Sequence, residues 1–86
     1  MKTVIILPSA AKALRRHRSD SELILGKIEA YAAEPGSMAN NVRPLKGEGY
    51  GVGAKRLRVG DYRVILEETA TEVIGTRVGP RGSVYD

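Results

Sequence analysis

Three arginines lie close together in a segment, residues 56–66 (RLRVGDYRVIL), whose pattern predicts a tight β-hairpin. The Gly-Asp pair at positions 60–61 fits a two-residue turn in which glycine takes the positive φ of a type II′ hairpin. Arg56 and Arg58 are two residues apart on the incoming strand, so they project from the same face. Arg63 opens the outgoing strand. Guanidinium groups carried on a rigid hairpin indicate a phosphate-binding surface.

The composition narrows the chemistry that such a surface could perform. The chain has 86 residues, no cysteine and one histidine. These counts exclude disulfides, a cysteine nucleophile, zinc catalysis through several histidines and a two-histidine ribonuclease mechanism. We therefore expect no metal or other cofactor, and the lack of cysteine fits a cytoplasmic protein. A net charge of +4 favours an anionic partner, nucleic acid first, although four tyrosines without tryptophan or phenylalanine supply few base-stacking platforms.

The N-terminal half predicts one strand and two helices. Lys2–Leu7 is rich in β-branched residues and predicts a strand. Its apolar run is too short for a membrane span or a signal peptide. Ser9 is a plausible N-cap for a helix over Ala10–His17. The Ser-x-x-Glu pattern at 19–22 is a capping-box signature for a second helix that continues to about Ala33.

The two predicted helices present different surfaces. The first carries Lys12, Arg15 and Arg16 opposite its apolar side, a basic face that is either solvated or in contact with nucleic-acid backbone. The second has an apolar stripe that predicts a core-facing side, made of Ile24, Leu25, Ile28, Tyr31 and Ala32.

The C-terminal half predicts an antiparallel sheet. Residues 36–50 are a long polar connection, and residues 79–82 break the last strand. Three strands are expected between them, at about Val52–Val59, Tyr62–Glu68 and Glu72–Val78. The sequence thus predicts a single α+β domain over residues 1–86, of order β-α-α-β-β-β, with two helices packed on a mainly antiparallel four-stranded sheet.

Taken together, these features resemble the RelE/ParE superfamily of small bacterial and archaeal toxins. The shared elements are leucine-lysine-glycine at 45–47, the hairpin motif at 56–65 and the closing PRGSVY at 80–85, in the family's order and spacing. The resemblance covers nearly the whole chain. The family fold packs two N-terminal helices on a twisted antiparallel sheet, which agrees with the elements predicted above.

The resemblance implies a toxin of a type II toxin–antitoxin system, with more than one possible activity. RelE-type members are ribosome-dependent endoribonucleases that cut mRNA in the ribosomal A site through the 2′-hydroxyl, leave a 2′,3′-cyclic phosphate and inhibit translation. ParE-type members inhibit DNA gyrase and are not nucleases. A degenerate member would only bind antitoxin or RNA. The implied partners are a cognate antitoxin and, for the nuclease, the ribosome with its mRNA and rRNA.

The resemblance also implies roles for three residues at the hairpin and the C-terminus. Arg63 matches the family's catalytic arginine, which stabilises phosphate charge; the alternative is a strand arginine paired with Glu67 or Asp61. Arg81 would bind phosphate or act as general acid, or else contact antitoxin or solvent. Tyr85 matches a terminal tyrosine that serves as base or base-stacking group, or else its ring packs under the sheet.

Further basic residues would contact the RNA backbone or remain solvated. By resemblance, these are Arg56 and Arg58 of the hairpin and Lys46 of the leucine-lysine-glycine element, while the basic face of the first helix would contact ribosomal RNA in a salt-dependent way. Enteric RelE proteins carry another basic residue two positions before Arg56. This chain has Ala54 there, with Lys55 next to it on the opposite face of the strand.

Overall fold

The computed structural model of the protein describes residues 1–45, 53–80 and Gly82. Its elements along the chain are β1 (Thr3–Ile6), α1 (Pro8–Arg16), α2 (Arg18–Ala33), a 3₁₀ segment (Pro35–Asn41), β2 (Val42–Pro44), β3 (Ala54–Val59), β4 (Tyr62–Glu68) and β5 (Glu72–Pro80). Three of the predicted functional residues, Lys46, Arg81 and Tyr85, lie outside the described residues.

The sheet has the strand order β1-β5-β4-β3-β2. Strands β2 to β5 pair antiparallel, and β1 runs parallel to β5. The prediction of an α+β fold with a mainly antiparallel sheet and two N-terminal helices is confirmed. The prediction of four strands is wrong, because Val42–Pro44 adds a fifth strand within the region expected to be a polar connection. Three residues are too few to show alternation, and proline is tolerated there because β2 is an edge strand.

The hydrophobic core lies between the two helices and one face of the sheet. Ile24 and Ile28 of α2 are fully buried, as are Leu57, Val64 and Leu66 of the central strands. Burial of such side chains contributes about 1.5–3 kcal/mol each. The predicted apolar stripe of the second helix is confirmed, with Leu25 partly buried at its margin.

The helix starts differ from the prediction. Helix α1 begins at Pro8, a position where the missing N–H of proline costs nothing, so Ser9 is not its N-cap. The Ser9 hydroxyl instead donates to the carbonyl of Thr76 on β5 at 2.7 Å, which fastens α1 to the sheet. Helix α2 already begins at Arg18, with only His17 between it and the end of α1, and no side chain caps it. The predicted capping box at 19–22 is therefore wrong.

Within the described residues, no helix is long and apolar enough to cross a membrane. The last strand continues through Pro80, two residues beyond its predicted end at Val78. Its final residues pair with the start of β4, where Arg63 is in register with Gly79. The longer strand extends the sheet beneath the hairpin turn.

Candidate nucleic-acid interface

Five arginines share the sheet face that points away from the helices. Because Leu57 and Val64 point into the core, strand alternation directs the side chains next to them to the opposite face. Register then places arginines from four strands on that face. We call this surface the arginine face, which consists of Arg43, Arg56, Arg58, Arg63 and Arg77. Sequence reasoning placed Arg56 and Arg58 on one face, and the register confirms it.

The arginine face contains two pairs of like charges directly opposite each other. Arg43 on β2 is in register with Arg56 on β3, and Arg58 on β3 is in register with Arg63 on β4. Directly opposed like charges destabilise a sheet. Both ion pairs found in the described part of the chain use Glu68 with lysines, so no arginine of this face is neutralised by them. The concentrated charge is suited to an anionic ligand that would neutralise it.

The hairpin turn fixes the guanidinium of Arg63. Gly60 has φ 57° and no residue type other than glycine has a positive φ in the described chain, which agrees with the predicted type II′ turn. Arg63 Nη1 donates to the carbonyl oxygens of Gly60 at 3.0 Å and Tyr62 at 2.9 Å. The alternative pairing with Glu67 or Asp61 does not occur. The backbone of the turn thus holds the guanidinium, whose other N–H groups have no partner in the described structure.

The centre of the face has an unsatisfied donor beside a buried apolar residue. Arg56 Nε is buried and has no hydrogen-bond partner among the described residues. Its register partner Ile65 is 3% exposed, although it lies on the arginine face and outside the main core cluster. A buried unsatisfied donor costs about 1–3 kcal/mol. Arg56 would have to change its side-chain conformation for an acceptor oxygen of a ligand to reach this donor and remove that cost.

A β-bulge places Arg77 on this face. The pairing of β4 with β5 shifts register between Ile65 and Leu66, so that Thr76 is the extra residue and its hydroxyl donates to the carbonyl of Ile65 at 3.1 Å. The shift changes the phase of β5, which puts Arg77 beside Ile65 instead of inside the core. Sequence reasoning missed Arg77, because simple alternation from Val73 points it inward. It also missed Arg43, because the three-residue strand β2 was not recognised.

Ala54 and Lys55 continue β3 beyond Arg56. Ala54 lies on the arginine face and is buried, so this chain has no basic group where enteric RelE proteins have one. Lys55 points to the helix side, as predicted. Its Nζ contacts Glu68 Oε1 at 2.7 Å and donates to the Tyr31 hydroxyl at 3.0 Å. Lys55 is therefore committed to the far side of the sheet.

The basic helix face, Lys12, Arg15 and Arg16, is a separate surface. All three side chains are exposed, whereas Ala10 and Leu14 of the same helix are buried in the core. Helix α1 packs on β5 and α2, so the sheet lies between this surface and the arginine face. The structure therefore does not bring the two sets of predicted basic residues together.

The histidine and the two tyrosines of the described residues lie on the helix side of the sheet, whereas Glu67, in register with Ala54, lies on the arginine face. His17 is the residue between α1 and α2, and its ring contacts the Tyr62 ring edge-on with centroids 5.0 Å apart. The Tyr62 hydroxyl donates to Asp20 Oδ2 at 2.8 Å, and this bond raises the pKa of Tyr62. Burial, followed by its hydrogen bond to Glu68, raises the pKa of Tyr31. Neither tyrosine is suited to act as a base.

Glu68 on β4 organises a charged cluster with Lys2, which precedes β1, Lys55 of β3 and Tyr31 of α2. Its carboxylate contacts Lys2 Nζ at 2.6 Å and Lys55 Nζ at 2.7 Å and accepts a hydrogen bond from Tyr31. Burial acts to raise the pKa of Glu68, but the bonds from Lys2, Lys55 and Tyr31 outweigh it and lower that pKa to about 2. Here the positive groups are fully paired, which indicates a structural role.

Comparison with family models and with curated proteins gives no match. Solved structures do match. The chain is similar to the archaeal RelE–RelB complex from Pyrococcus horikoshii, with 26% identity, a TM-score of 0.75 and coverage of 96% of this chain and 98% of that chain. For the RelB–RelE complex from Methanococcus jannaschii the identity is 26%, the TM-score 0.56 and the coverage 95% of both chains.

A more distant match supports the same architecture. The Escherichia coli DinJ–YafQ toxin–antitoxin complex matches with a TM-score of 0.77 over 99% of this chain and 98% of that chain, at 13% identity. At that identity the likeness concerns the fold alone. The matches span nearly the full length of each chain, so the helices, the sheet and the hairpin of this chain all have counterparts in those structures.

Proposed function

We propose that this chain, which is RelE-like in fold, is the toxin of a type II toxin–antitoxin system and a ribosome-dependent mRNA endoribonuclease. The observation that carries the proposal is the arginine face, with Arg63 fixed at the hairpin turn of a RelE-like sheet. The solved RelE and YafQ structures give no support to the alternative of a ParE-like gyrase inhibitor. A cognate antitoxin is the proposed protein partner.

The substrate class follows from the charge and from the chemistry that arginines can perform. RNA carries its own nucleophile: the 2′-oxygen forms a bond to the adjacent phosphorus, the bond from phosphorus to the 5′-oxygen breaks, and a 2′,3′-cyclic phosphate remains. The enzyme must take the 2′-hydroxyl proton, stabilise the dianionic phosphorane and return a proton to the 5′-oxygen. Arg63 is proposed for the second task, because its guanidinium is held in place before the substrate arrives.

The remaining arginines of the face would hold the RNA backbone on either side of the scissile phosphate. Arg58 of β3 lies directly opposite Arg63 of β4. Arg56 lies on β3 as well, two residues farther from the hairpin turn than Arg58. Arg43 and Arg77 flank Arg56 and its partner Ile65 on the neighbouring strands. This arrangement widens the proposed binding surface across four strands, beyond the hairpin itself.

The proton transfers are assigned, by resemblance, to Arg81 and Tyr85. A free tyrosine has a pKa of about 10 and arginine one above about 12, so both are poor acid–base catalysts at neutral pH. Cations next to Tyr85 would lower its pKa and improve it as a base. Dependence on the ribosome is consistent with such poor acid–base catalysts, because positioning of the mRNA would supply a large part of the rate enhancement. Lys46 and the basic helix face are proposed to contact RNA backbone.

The test is cleavage of a defined mRNA on programmed ribosomes, mapped by primer extension. We expect new 5′ ends within the A-site codon, no cleavage without ribosomes, and an upstream fragment whose 3′ end becomes extendable only after removal of the cyclic phosphate. Lys27→Ala, a charge removal on the exposed side of α2, is the matched control and should cut like the wild type. Intact mRNA with the wild-type protein would refute the nuclease proposal, and inhibition of gyrase supercoiling would favour the ParE-like alternative.

A further inference from the structure

We infer that Tyr62 is a positioning residue that fixes Arg63 by tying the hairpin turn to the junction of the two helices. The inference rests on the proposed function, in which Arg63 stabilises the phosphorane. It assigns a role in that reaction to a side chain on the opposite face of the sheet.

The contacts form a continuous path from the helices to the guanidinium. Asp20 lies in the first turn of α2, and its Oδ2 accepts a hydrogen bond from the Tyr62 hydroxyl at 2.8 Å. His17 packs its ring edge-on against the Tyr62 ring. The backbone carbonyl of the same Tyr62 accepts a hydrogen bond from Arg63 Nη1 at 2.9 Å. One residue therefore holds the helices through its side chain and the arginine through its backbone.

The alternation of the strand explains why neighbouring residues can divide these tasks. Tyr62 packs against the core between the sheet and the helices, so its neighbour Arg63 projects from the other face. Val59, the residue before the turn, is buried in the core, but the described hydrogen bonds and the ring contact that link the turn to the helices run through Tyr62, to His17 and Asp20.

The protonation state of Tyr62 suits this role. The hydrogen bond to Asp20 raises the pKa of Tyr62, so the hydroxyl stays protonated and keeps donating throughout the neutral range. Tyr62 is thus unsuited to proton transfer from the RNA, and its hydroxyl also points away from the arginine face. Its effect on cleavage must pass through Arg63.

Tyr62→Phe removes the hydroxyl bonds to Asp20 Oδ2 and, at 3.3 Å, to His17 Nδ1, and keeps the ring contact with His17. Because a small misplacement of a catalytic group is costly, we expect kcat for ribosome-dependent cleavage to fall about 10- to 100-fold while KM changes little. The kcat of Asp20→Asn should fall by a factor in the same range. The matched control is Tyr31→Phe, which deletes a tyrosine hydroxyl bonded to another carboxylate, Glu68, at the end of β4 that is far from the hairpin turn; its kcat should be that of the wild type.

A double-mutant cycle separates positioning from general destabilisation. If Tyr62 acts through Arg63, Tyr62→Phe should have no further effect on kcat in an Arg63→Ala background, whereas independent effects would multiply. Multiplying effects, or a wild-type kcat in Tyr62→Phe, would overturn the inference while leaving the nuclease proposal intact.

A second readout does not require cleavage. ¹⁵N relaxation of the arginine Nε–H groups should show Arg63 ordered in the wild type and mobile in Tyr62→Phe, with Arg58 unchanged as an internal control. Equal order of Arg63 in both proteins would overturn the inference even if the wild type cuts no RNA. Failure of the proposed function is seen separately, as an absence of cleavage by the wild type.

Discussion

The arginine face and the basic helix face carry the same kind of charge but differ in how well the fold accounts for them. Arg15 and Arg16 lie in the last turn of α1, where cations interact favourably with the helix dipole, and both are exposed. The arginine face instead opposes Arg58 to Arg63 across a strand pair, an arrangement that costs stability. Favourable interactions with the helix dipole are enough to explain the charges of the basic helix face. The repulsion within the arginine face lowers stability, so a function is needed to explain why those charges are there. The comparison therefore favours the arginine face as the site of the proposed RNA chemistry.

The strongest way to break this comparison is Arg63→Ala. Loss of a fixed donor to developing negative charge typically costs about 10²- to 10³-fold in kcat, so cleavage by this variant should fall by that factor. Arg16→Ala on the basic helix face removes the same side chain and should affect the apparent KM for ribosomes more than kcat. The measurement is single-turnover cleavage on programmed ribosomes. Equal losses of kcat in both variants would refute the distinction between the two faces.

The second prediction concerns the Glu68 cluster, where positive groups are paired instead of opposed. The pKa of Glu68 is lowered from 4.5 to about 2 in the folded protein, so its ionisation stabilises the fold above about pH 4.5. This contribution, at most about 3 kcal/mol because the lysines are partly exposed, should be lost as the pH falls from 4.5 towards 2. The measurement is urea unfolding at a series of pH values in that range.

Two variants of adjacent residues separate this contribution from that of other carboxylates. Glu68→Gln should be less stable than the wild type at pH 7 and should lose most of the dependence between pH 4.5 and 2. Glu67→Gln changes a neighbouring glutamate that makes no ion pair with another described residue, so it should keep that dependence. An unchanged pH profile in Glu68→Gln would contradict the assignment.

The third prediction uses the cost of opposed arginines on the arginine face. Arg43→Gln should raise the free energy of unfolding by about 0.2–1 kcal/mol, because it relieves repulsion with Arg56. The same change should weaken RNA binding and reduce the salt dependence of log K by about 0.7 for each phosphate that the variant no longer neutralises. Unfolding and RNA titrations at several salt concentrations measure the two effects. A variant that is less stable and binds RNA unchanged would contradict both parts.

How much of this could be predicted from the sequence depends on how local each signal is. The strand Tyr62–Glu68 was predicted with the ends that the structure has, because the Gly-Asp turn and the alternating apolar residues lie within a few positions of each other. Helix α2 was recognised by its apolar stripe, but its start was misplaced. The reason is that the single residue His17 joins the two helices without a capping side chain.

The missed parts of the site depend on contacts between distant residues. Arg77 reaches the arginine face because of a bulge that only the pairing of β4 with β5 reveals. Arg43 reaches it because a three-residue edge strand pairs with β3. The hydrogen bond from Tyr62 to Asp20 joins residues 42 positions apart, and no local sequence pattern predicts it. Residue types therefore predict the chemistry, while tertiary pairing determines which arginines share a face.

The last prediction tests the other half of the comparison, that the fold itself favours the basic helix face. Arg15→Gln removes a cation from the last turn of α1, so it should lower the free energy of unfolding by about 0.3–1 kcal/mol at low salt. Lys12→Gln lies a turn earlier and should change stability less, since the dipole effect fades beyond the last turn. Unfolding at low and high salt distinguishes the two, because screening should remove the difference. If Arg15→Gln instead stabilises the protein, as Arg43→Gln is expected to, the basic helix face is also maintained against the fold, and the argument that assigns the cleavage step to the arginine face alone fails.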